Sequence, residues 1–297
     1  MSAFSAPSLV RLHGVERSDR VATYAQVAAF VGQARKALAA NGMPAGPGSA
    51  VGSLFAKADR LDRQWEEGVA SSDIVMLMQA DEAVRIAEAV MEAIGHPEAR
   101  EAIRRITKSD MRLSTRQPSQ GKDALWELGL ISFLRGRGVS AAFKDPPDLE
   151  IVLPGLPAPY GIACKKVYSD ASVEKQFSKG LRQLVPYSGA GLVAFNLDDL
   201  TPERSILRAT NRRDASEHLH GLNIAFMERH QMRFQEAVMA GRCDGVWISS
   251  CVHADVEGLS PRFNRVTENT LWTVSGAGKE SACRLSALQA VVDGPRA

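Results

Sequence analysis

The chain has 297 residues, of which 45% are hydrophobic and 24% are charged, and its formal net charge is +2. This length fits one large or two modest domains, and the composition is that of an ordinary globular protein. No apolar run reaches the roughly 18 residues needed to span a membrane, and the N-terminus lacks the pattern of a signal peptide. The near-neutral charge neither requires nor excludes nucleic acid, so a local patch would have to recognise such a partner.

The cysteines are scattered along the chain and include no Cys-x-x-Cys pair. This use of cysteine favours a reducing compartment without a disulfide framework, and we therefore expect a cytoplasmic protein. There are four of them: Cys164, Cys243, Cys251 and Cys283.

The first third of the chain has the periodicity of amphipathic helices. Apolar residues recur at steps of three and four, which places them on one helix face that packs into a core. Four segments show or suggest this pattern: 21–40, 51–65, 72–94 and 98–106. Residues 1–18 are predicted to be irregular, and no strand pattern occurs in this part of the chain. We therefore expect a helical N-terminal region over residues 1–115.

The segment 107–122 is polar and basic, and we place the domain junction within it. Its charges fit a solvated linker. They also fit a basic segment that contacts phosphates, and the sequence leaves both interpretations open.

After residue 122 the pattern changes to mixed α and β. Helices and strands are predicted at these positions in turn: helix 123–135, strands 139–143, 147–153 and 160–167, helix 173–184, strand 191–197, a short helix 201–209, helix 216–239, strand 244–252 and a mixed tail 269–292. The fold class expected for residues 116–297 is therefore α/β, with a mixed β-sheet flanked by helices.

The helix predicted over 123–135 has a single charged residue in its interior, Glu127. Its neighbours three and four positions later, Leu130 and Ile131, are apolar. Because burying a lone carboxylate is costly, Glu127 needs a cation or hydrogen-bond donors. One interpretation is that a nearby arginine pairs with Glu127. The other is that Glu127 belongs to a functional site.

The next two predicted strands add further charged groups. Asp148 and Glu150 share one side of their strand because side chains alternate, and Lys165 follows across a hairpin. Carboxylates can hold Mg²⁺, which lowers the pKa of a bound water, while a lysine offsets developing charge. This combination is what metal-assisted phosphodiester hydrolysis requires. We expect the side-chain tips of Glu127, Asp148 and Lys165 to lie within about 3–8 Å of one another.

These residues resemble the motifs of the PD-(D/E)XK nuclease superfamily, which has a restriction-endonuclease-like fold. The matching parts are Glu127 in the first helix, Pro147-Asp148 opening a strand, and Ala163-Cys164-Lys165 on the next strand. The order of helix, hairpin, strand, helix and strand also fits, over about residues 123–197. Each motif alone is weak, and the ordered set is more specific than any one of them.

The resemblance implies Mg²⁺, with Mn²⁺ as an alternative, and a nucleic-acid substrate that we expect to be DNA. It implies catalytic roles for Glu127, Asp148 and Lys165. The metal ligands that follow from it are Glu127, Asp148, Glu150 and Cys164, the last through its backbone carbonyl.

One position departs from the family pattern, because Ala163 stands where the family has an acidic residue two positions before the lysine. Three interpretations stay open. In the first, Glu127 and Asp148 hold one metal with the help of the Cys164 backbone carbonyl. In the second, Glu150 or Glu174 supplies the missing oxygen. In the third, the chain has lost catalysis and retains nucleic-acid binding.

The helix predicted after the second strand carries basic and amide side chains next to the expected site. Such a helix face is usually only solvated, but beside a nuclease-like site it can hold a phosphate backbone. The candidate nucleic-acid-binding residues are Lys166, Lys175, Gln176, Lys179 and Arg182.

We therefore weigh three functions: a metal-dependent nuclease acting on DNA, a catalytically degenerate relative that binds nucleic acid without cleavage, and a protein-interaction module. No membrane partner is expected, and a homodimer is an open alternative.

Overall fold

The computed structural model describes residues 7–12, 23–67, 73–156, 158–259 and 262–293. The chain divides into two compact units. The helical unit comprises Arg17–Ser132 and Pro202–Ser205, and the α/β unit comprises the rest. The predicted division at residue 115 falls inside the helical unit.

The helical unit consists of consecutive α-helices that bury their apolar faces against one another. Its helices are α1 (Tyr24–Ala40), α2 (Ala50–Glu66), α3 (Ile74–Ala93), α4 (Arg100–Lys108) and the first part of α5 (Gln120–Arg135). Thr23 caps α1 by accepting a hydrogen bond from the Gln26 backbone N–H, and Asp73 caps α3. Ser72, with which the predicted helix 72–94 begins, lies outside the described residues.

The α/β unit contains one mixed sheet. Its strands are β1 (Pro7–Leu12), β2 (Ser140–Phe143), β3 (Leu149–Val152), β4 (Tyr160–Lys166), β5 (Gly191–Asn196), β6 (Ile206–Ala209), β7 (Gly245–Val256) and β8 (Phe263–Val274). The spatial order is β1-β8-β7-β5-β4-β3-β2, with β6 paired to β7. Strands β2, β3 and β4 are antiparallel neighbours, whereas β4, β5 and β7 run parallel. The mixed α/β fold class predicted from the sequence is thereby confirmed.

Helices cover the sheet and complete its core. They are α6 (Val173–Gln183), which connects the parallel strands β4 and β5, α7 (Arg212–Met239) and α8 (Lys279–Asp293). A group of aromatic rings contributed by α6, α7, β5 and β8 fills the core between helices and sheet: Phe177, Phe195, Phe226, Phe234 and Trp272.

Two local predictions are wrong. The segment predicted as a helix over 201–209 is instead irregular up to residue 205 and then forms strand β6, which pairs in parallel with residues 253–256 of β7. A short apolar run such as that of β6 cannot be assigned by periodicity, and the partner strand decides it. The strand β1 lies in a segment predicted to be irregular, and it is held by pairing with β8.

In the part of the chain that the structure describes, every helix is too short or too polar to cross a membrane.

Candidate functional site

Asp148 lies immediately before β3 and its carboxylate is surrounded by hydrogen-bond donors. Its Oδ2 atom accepts from the Cys164 backbone N–H at 2.7 Å and from the Lys165 ammonium at 2.7 Å. Its Oδ1 atom accepts from the side-chain amide of Gln183 at 3.1 Å. Both oxygens of this carboxylate are therefore engaged by groups of the protein itself.

Lys165 is held by the same arrangement. Its side chain is buried, and its Nζ atom also donates to the Cys164 carbonyl oxygen at 2.7 Å. The antiparallel pairing of β3 with β4 brings the start of one strand beside the end of the other. The predicted convergence of Asp148 and Lys165 is present, and the two charges neutralise each other.

Gln183, the last residue of α6, contacts Asp148 in the structure. It was not among the predicted site residues. Its Nε2 atom also donates to the Pro147 carbonyl at 2.6 Å. Its Oε1 atom is buried and has no hydrogen-bond partner among the described residues. Helical spacing gives the signal that could have found it, because Gln176, Gly180 and Gln183 follow one another at steps of four and three.

The Glu150 carboxylate interacts with Tyr187 and Lys144 rather than with the groups around Asp148. Its Oε2 atom accepts from the Tyr187 hydroxyl at 2.5 Å and lies 4.0 Å from the Lys144 ammonium. Burial, together with the neighbouring Glu150 carboxylate, raises the pKa of Tyr187, so this hydroxyl stays protonated and donates. Tyr187 is a second residue near the site that sequence reasoning did not select.

Glu127 belongs to the helical unit, whereas Asp148 and Lys165 belong to the α/β unit. Its carboxylate forms a two-pronged ion pair with the Arg105 guanidinium of α4, at 3.2 and 2.5 Å. The structure thus contains the arginine partner that was one of the two interpretations of this buried acid. Fork-shaped pairs of this kind are strong and directional.

Ala163 is fully buried in the core between sheet and α6. It lies on the same side of β4 as Lys165, as side-chain alternation requires. Its core neighbours include Phe177, Leu181 and Val193. The position that would carry an acidic residue in the nuclease superfamily is therefore filled by apolar packing.

Lys166 points to the opposite side of β4 from Lys165. Its buried ammonium pairs with Asp199 at 2.6 Å and donates to the Asn196 side chain at 2.5 Å. Lys166 was predicted to bind nucleic acid, but its side chain is buried and paired inside the protein. Consecutive strand residues face opposite ways, so Lys165 and Lys166 cannot share one surface.

The basic residues of α6 form a continuous exposed group. Lys175, Lys179 and Arg182 follow at steps of four and three, which places them on one helix face. None of the three forms an ion pair with a described residue. We call these three residues the α6 basic face. Gln176 is half-buried beside them, and Glu174 is paired with Arg233 at 2.6 Å.

The oxygens around Asp148 do not fit Mg²⁺ in this arrangement. A hard divalent cation takes about six oxygen ligands, usually with more than one carboxylate. Here Asp148 already accepts from three donors, Ala163 offers no oxygen, and the Cys164 carbonyl accepts from Lys165. Among the described residues, no three His, Cys, Asp or Glu side chains are grouped so that they could hold a metal ion.

Burial raises the pKa of Asp148, while its contacts with Lys165, Gln183 and the Cys164 N–H oppose that shift. The desolvation of this carboxylate outweighs the donors, so the protonated form is favoured relative to an exposed aspartate.

Comparison with protein-family models, with curated proteins and with solved structures finds no match for this chain.

Proposed function

We propose that the α/β unit binds nucleic acid through the α6 basic face without cleaving it. The observation that carries this proposal is the α6 basic face itself: three exposed cations at helical spacing, with no acidic partner among the described residues. Cations left without protein partners are suited to a phosphate backbone, whose contacts fix position but carry no base information. Gln183 of the same helix donates a hydrogen bond to Asp148, so the helix that carries the α6 basic face also contacts the candidate site.

The order of elements supports a nuclease-like scaffold for this binding. Helix α5, strands β2, β3 and β4, helix α6 and strand β5 follow one another in the order that the resemblance implies. The structure also brings Asp148 and Lys165 together.

The interior of the site favours binding over cleavage. The Asp148–Lys165 pair is closed by hydrogen bonds, and Ala163 packs in the core where the superfamily has a carboxylate. Hydrolysis of this type depends on a metal held by several oxygens, and this donor set does not provide them.

The binding proposal is tested by charge reversal on α6. Fluorescence anisotropy with a labelled duplex should show an affinity that falls steeply with salt, because binding releases counterions. Lys175→Glu/Lys179→Glu should weaken binding at least tenfold for every DNA sequence tried. The matched control is Lys36→Glu/Arg60→Glu, which makes the same change of charge on exposed positions of the helical unit. Equal effects of the two variants, or no binding at any salt, would leave the protein-interaction alternative.

A second candidate function is metal-dependent hydrolysis of DNA phosphodiesters. The convergence of Asp148 and Lys165 favours it, and it requires Asp148 to give up its donors for Mg²⁺ or Mn²⁺. Nicking of a plasmid by the wild type, abolished by Asp148→Ala and unaffected by the Lys36→Glu/Arg60→Glu control, would establish this function. Absence of nicking together with retained, salt-sensitive binding would establish the first.

A further inference from the structure

The distal half of the β7–β8 hairpin, with β6 beside it, presents a second surface that the proposed function does not use. On one side of these strands, Ala254, Val256 and Val266 pack with Ala215 and Leu219 of α7. Because side chains alternate, the intervening residues lie on the opposite side. We call this opposite side the distal face, formed by Ile206, Arg208, His253, Asp255, Phe263 and Arg265.

Two aromatic rings stack on the distal face. The rings of His253 and Phe263 have centroids 5.3 Å apart and planes inclined by 19°. Both residues are only half-buried. Phe263 belongs neither to the aromatic core between helices and sheet nor to the cluster beneath α7. Aromatic rings placed on a strand surface rather than in a core are suited to stack on a planar ligand.

The charges on this face favour an anionic partner. The register places Arg208 beside Asp255 on β6 and β7, and Arg265 opposite His253 on β8. Asp255 is already neutralised by a two-pronged ion pair with Arg262, at 2.9 and 3.0 Å. Arg208 is exposed and forms no ion pair with the residues that the structure describes. Arg208 is therefore a cation available to an anionic partner, and the neighbouring Asp255 is already paired with Arg262.

We propose that the distal face binds single-stranded nucleic acid, with a base stacked on the His253–Phe263 pair and a phosphate held by Arg208. Stacked aromatics flanked by arginines on strands bind unpaired bases with little sequence preference, because every base has a π-face. In a duplex the base faces are covered by neighbouring bases, so this surface discriminates single strands from duplexes. The inference goes beyond the α6 basic face, and neither proposal requires the other.

The test compares two labelled probes, an oligothymidylate of about 15 nucleotides, which is near the upper end of common site sizes, and a duplex of the same length. Phe263→Leu keeps an apolar side chain but removes the ring. It should weaken single-strand binding about tenfold or more while leaving duplex binding unchanged. Phe263→Tyr keeps a ring and should bind as the wild type does. Arg208→Gln, at an exposed position, should weaken single-strand binding and reduce the magnitude of its salt slope by about one.

The outcomes separate this proposal from that for α6. Loss of single-strand binding in Phe263→Leu and Arg208→Gln, with full binding of the duplex, supports the distal face. Unchanged single-strand binding in both variants, or equal loss for both probes, overturns it even if Lys175→Glu/Lys179→Glu abolishes duplex binding. Melting temperatures of all variants show whether a loss comes from unfolding, and Arg208→Gln decides the matter if Phe263→Leu does not fold.

Discussion

Ala163 of β4 and Gly180 of α6 face each other in the core between this helix and the sheet. A Cβ atom added at Gly180 would lie 3.5 Å from the Ala163 methyl group and 2.9 Å from both methyl groups of Val193. Helix and strands are therefore in contact through small residues, and this contact leaves little volume for a longer side chain at position 163. The residue that departs from the nuclease pattern is thus part of the packing of the unit.

Replacement of Ala163 by glutamate should destabilise the protein. The substitution adds volume to a filled core and buries a carboxylate, and we expect it to lower the free energy of unfolding by about 3 kcal/mol or more. Urea denaturation measures this change, and Ala163→Gln separates the volume effect from the charge. If Ala163→Glu is instead as stable as the wild type, and Mg²⁺ or Mn²⁺ raises its melting temperature, position 163 opens onto a metal site of the nuclease type.

Removing the charge of Glu127 should cost stability through its partner Arg105. Glu127 is nearly buried while the Arg105 side chain is 29% exposed, so we expect Glu127→Gln to cost about 1–3 kcal/mol, less than for a fully buried pair. The control is Glu101→Gln. Glu101 pairs with Arg104, and both side chains are largely exposed. That change should cost no more than about 0.5 kcal/mol. Equal losses in the two variants would show that the Arg105 pair contributes nothing beyond a surface ion pair.

Two glycines with similar backbone angles allow steric contact to be separated from backbone strain. Gly155 and Gly189 have φ of 76° and 80°, which side-chain-bearing residues rarely adopt. A Cβ at Gly155 would meet nothing within 4 Å, whereas one at Gly189 would lie 2.0 Å from the Gly241 carbonyl oxygen. We expect Gly155→Ala to cost about 1–2 kcal/mol and Gly189→Ala clearly more. Denaturation curves of the two variants check this order, and equal losses would argue that the turn at Gly189 relaxes.

Much of the secondary structure could be predicted from local patterns, because it follows from periodicity. The amphipathic stripes gave α1 to α3, and the apolar runs gave β4 and β5. The strand β6 could not be predicted in this way, since its identity depends on pairing with β7. The same holds for β1, which is held by β8.

The candidate site was predicted in part for the same reason. Asp148 and Lys165 lie at the ends of sequence-adjacent strands, so a hairpin is enough to bring them together. The partner of Glu127, Arg105, is 22 residues away on another helix, and its choice among several arginines depends on helix packing. The sheet face on which the Lys166 side chain lies depends on the register of β4. Two consecutive lysines in the sequence do not reveal that register.

Lys166 should behave as a structural residue. Replacing it by methionine leaves Asp199 buried without its cation, and we expect a loss of about 3–5 kcal/mol. Lys175→Met, at an exposed position of α6, should change stability by no more than about 0.5 kcal/mol. Thermal unfolding distinguishes them, and a stable Lys166→Met protein would show that Asp199 finds other donors.

Asp148 and Asp110 should give opposite dependences of stability on pH. Burial raises the pKa of Asp148 above the ordinary 3.8, whereas the hydrogen bond from Arg112 lowers the pKa of Asp110 below it. The contribution of Asp148 is therefore fully present below pH 3.8 and is lost as the pH rises through its raised pKa. That of Asp110 is present above pH 3.8 and is lost as the pH falls through its lowered pKa.

Asparagine has no proton to exchange, so each substitution removes one of these dependences. The free energy of unfolding of Asp148→Asn, relative to the wild type, should rise as the pH increases through the acidic range above 3.8. The same difference for Asp110→Asn should fall as the pH increases through the range around and below 3.8. Urea denaturation at a series of pH values measures both slopes against the wild type, so that titration of the other carboxylates cancels. If the Asp148→Asn difference fell with pH instead, the contacts with Lys165, Gln183 and the Cys164 N–H would outweigh the desolvation of this carboxylate, and Asp148 would be held as an anion.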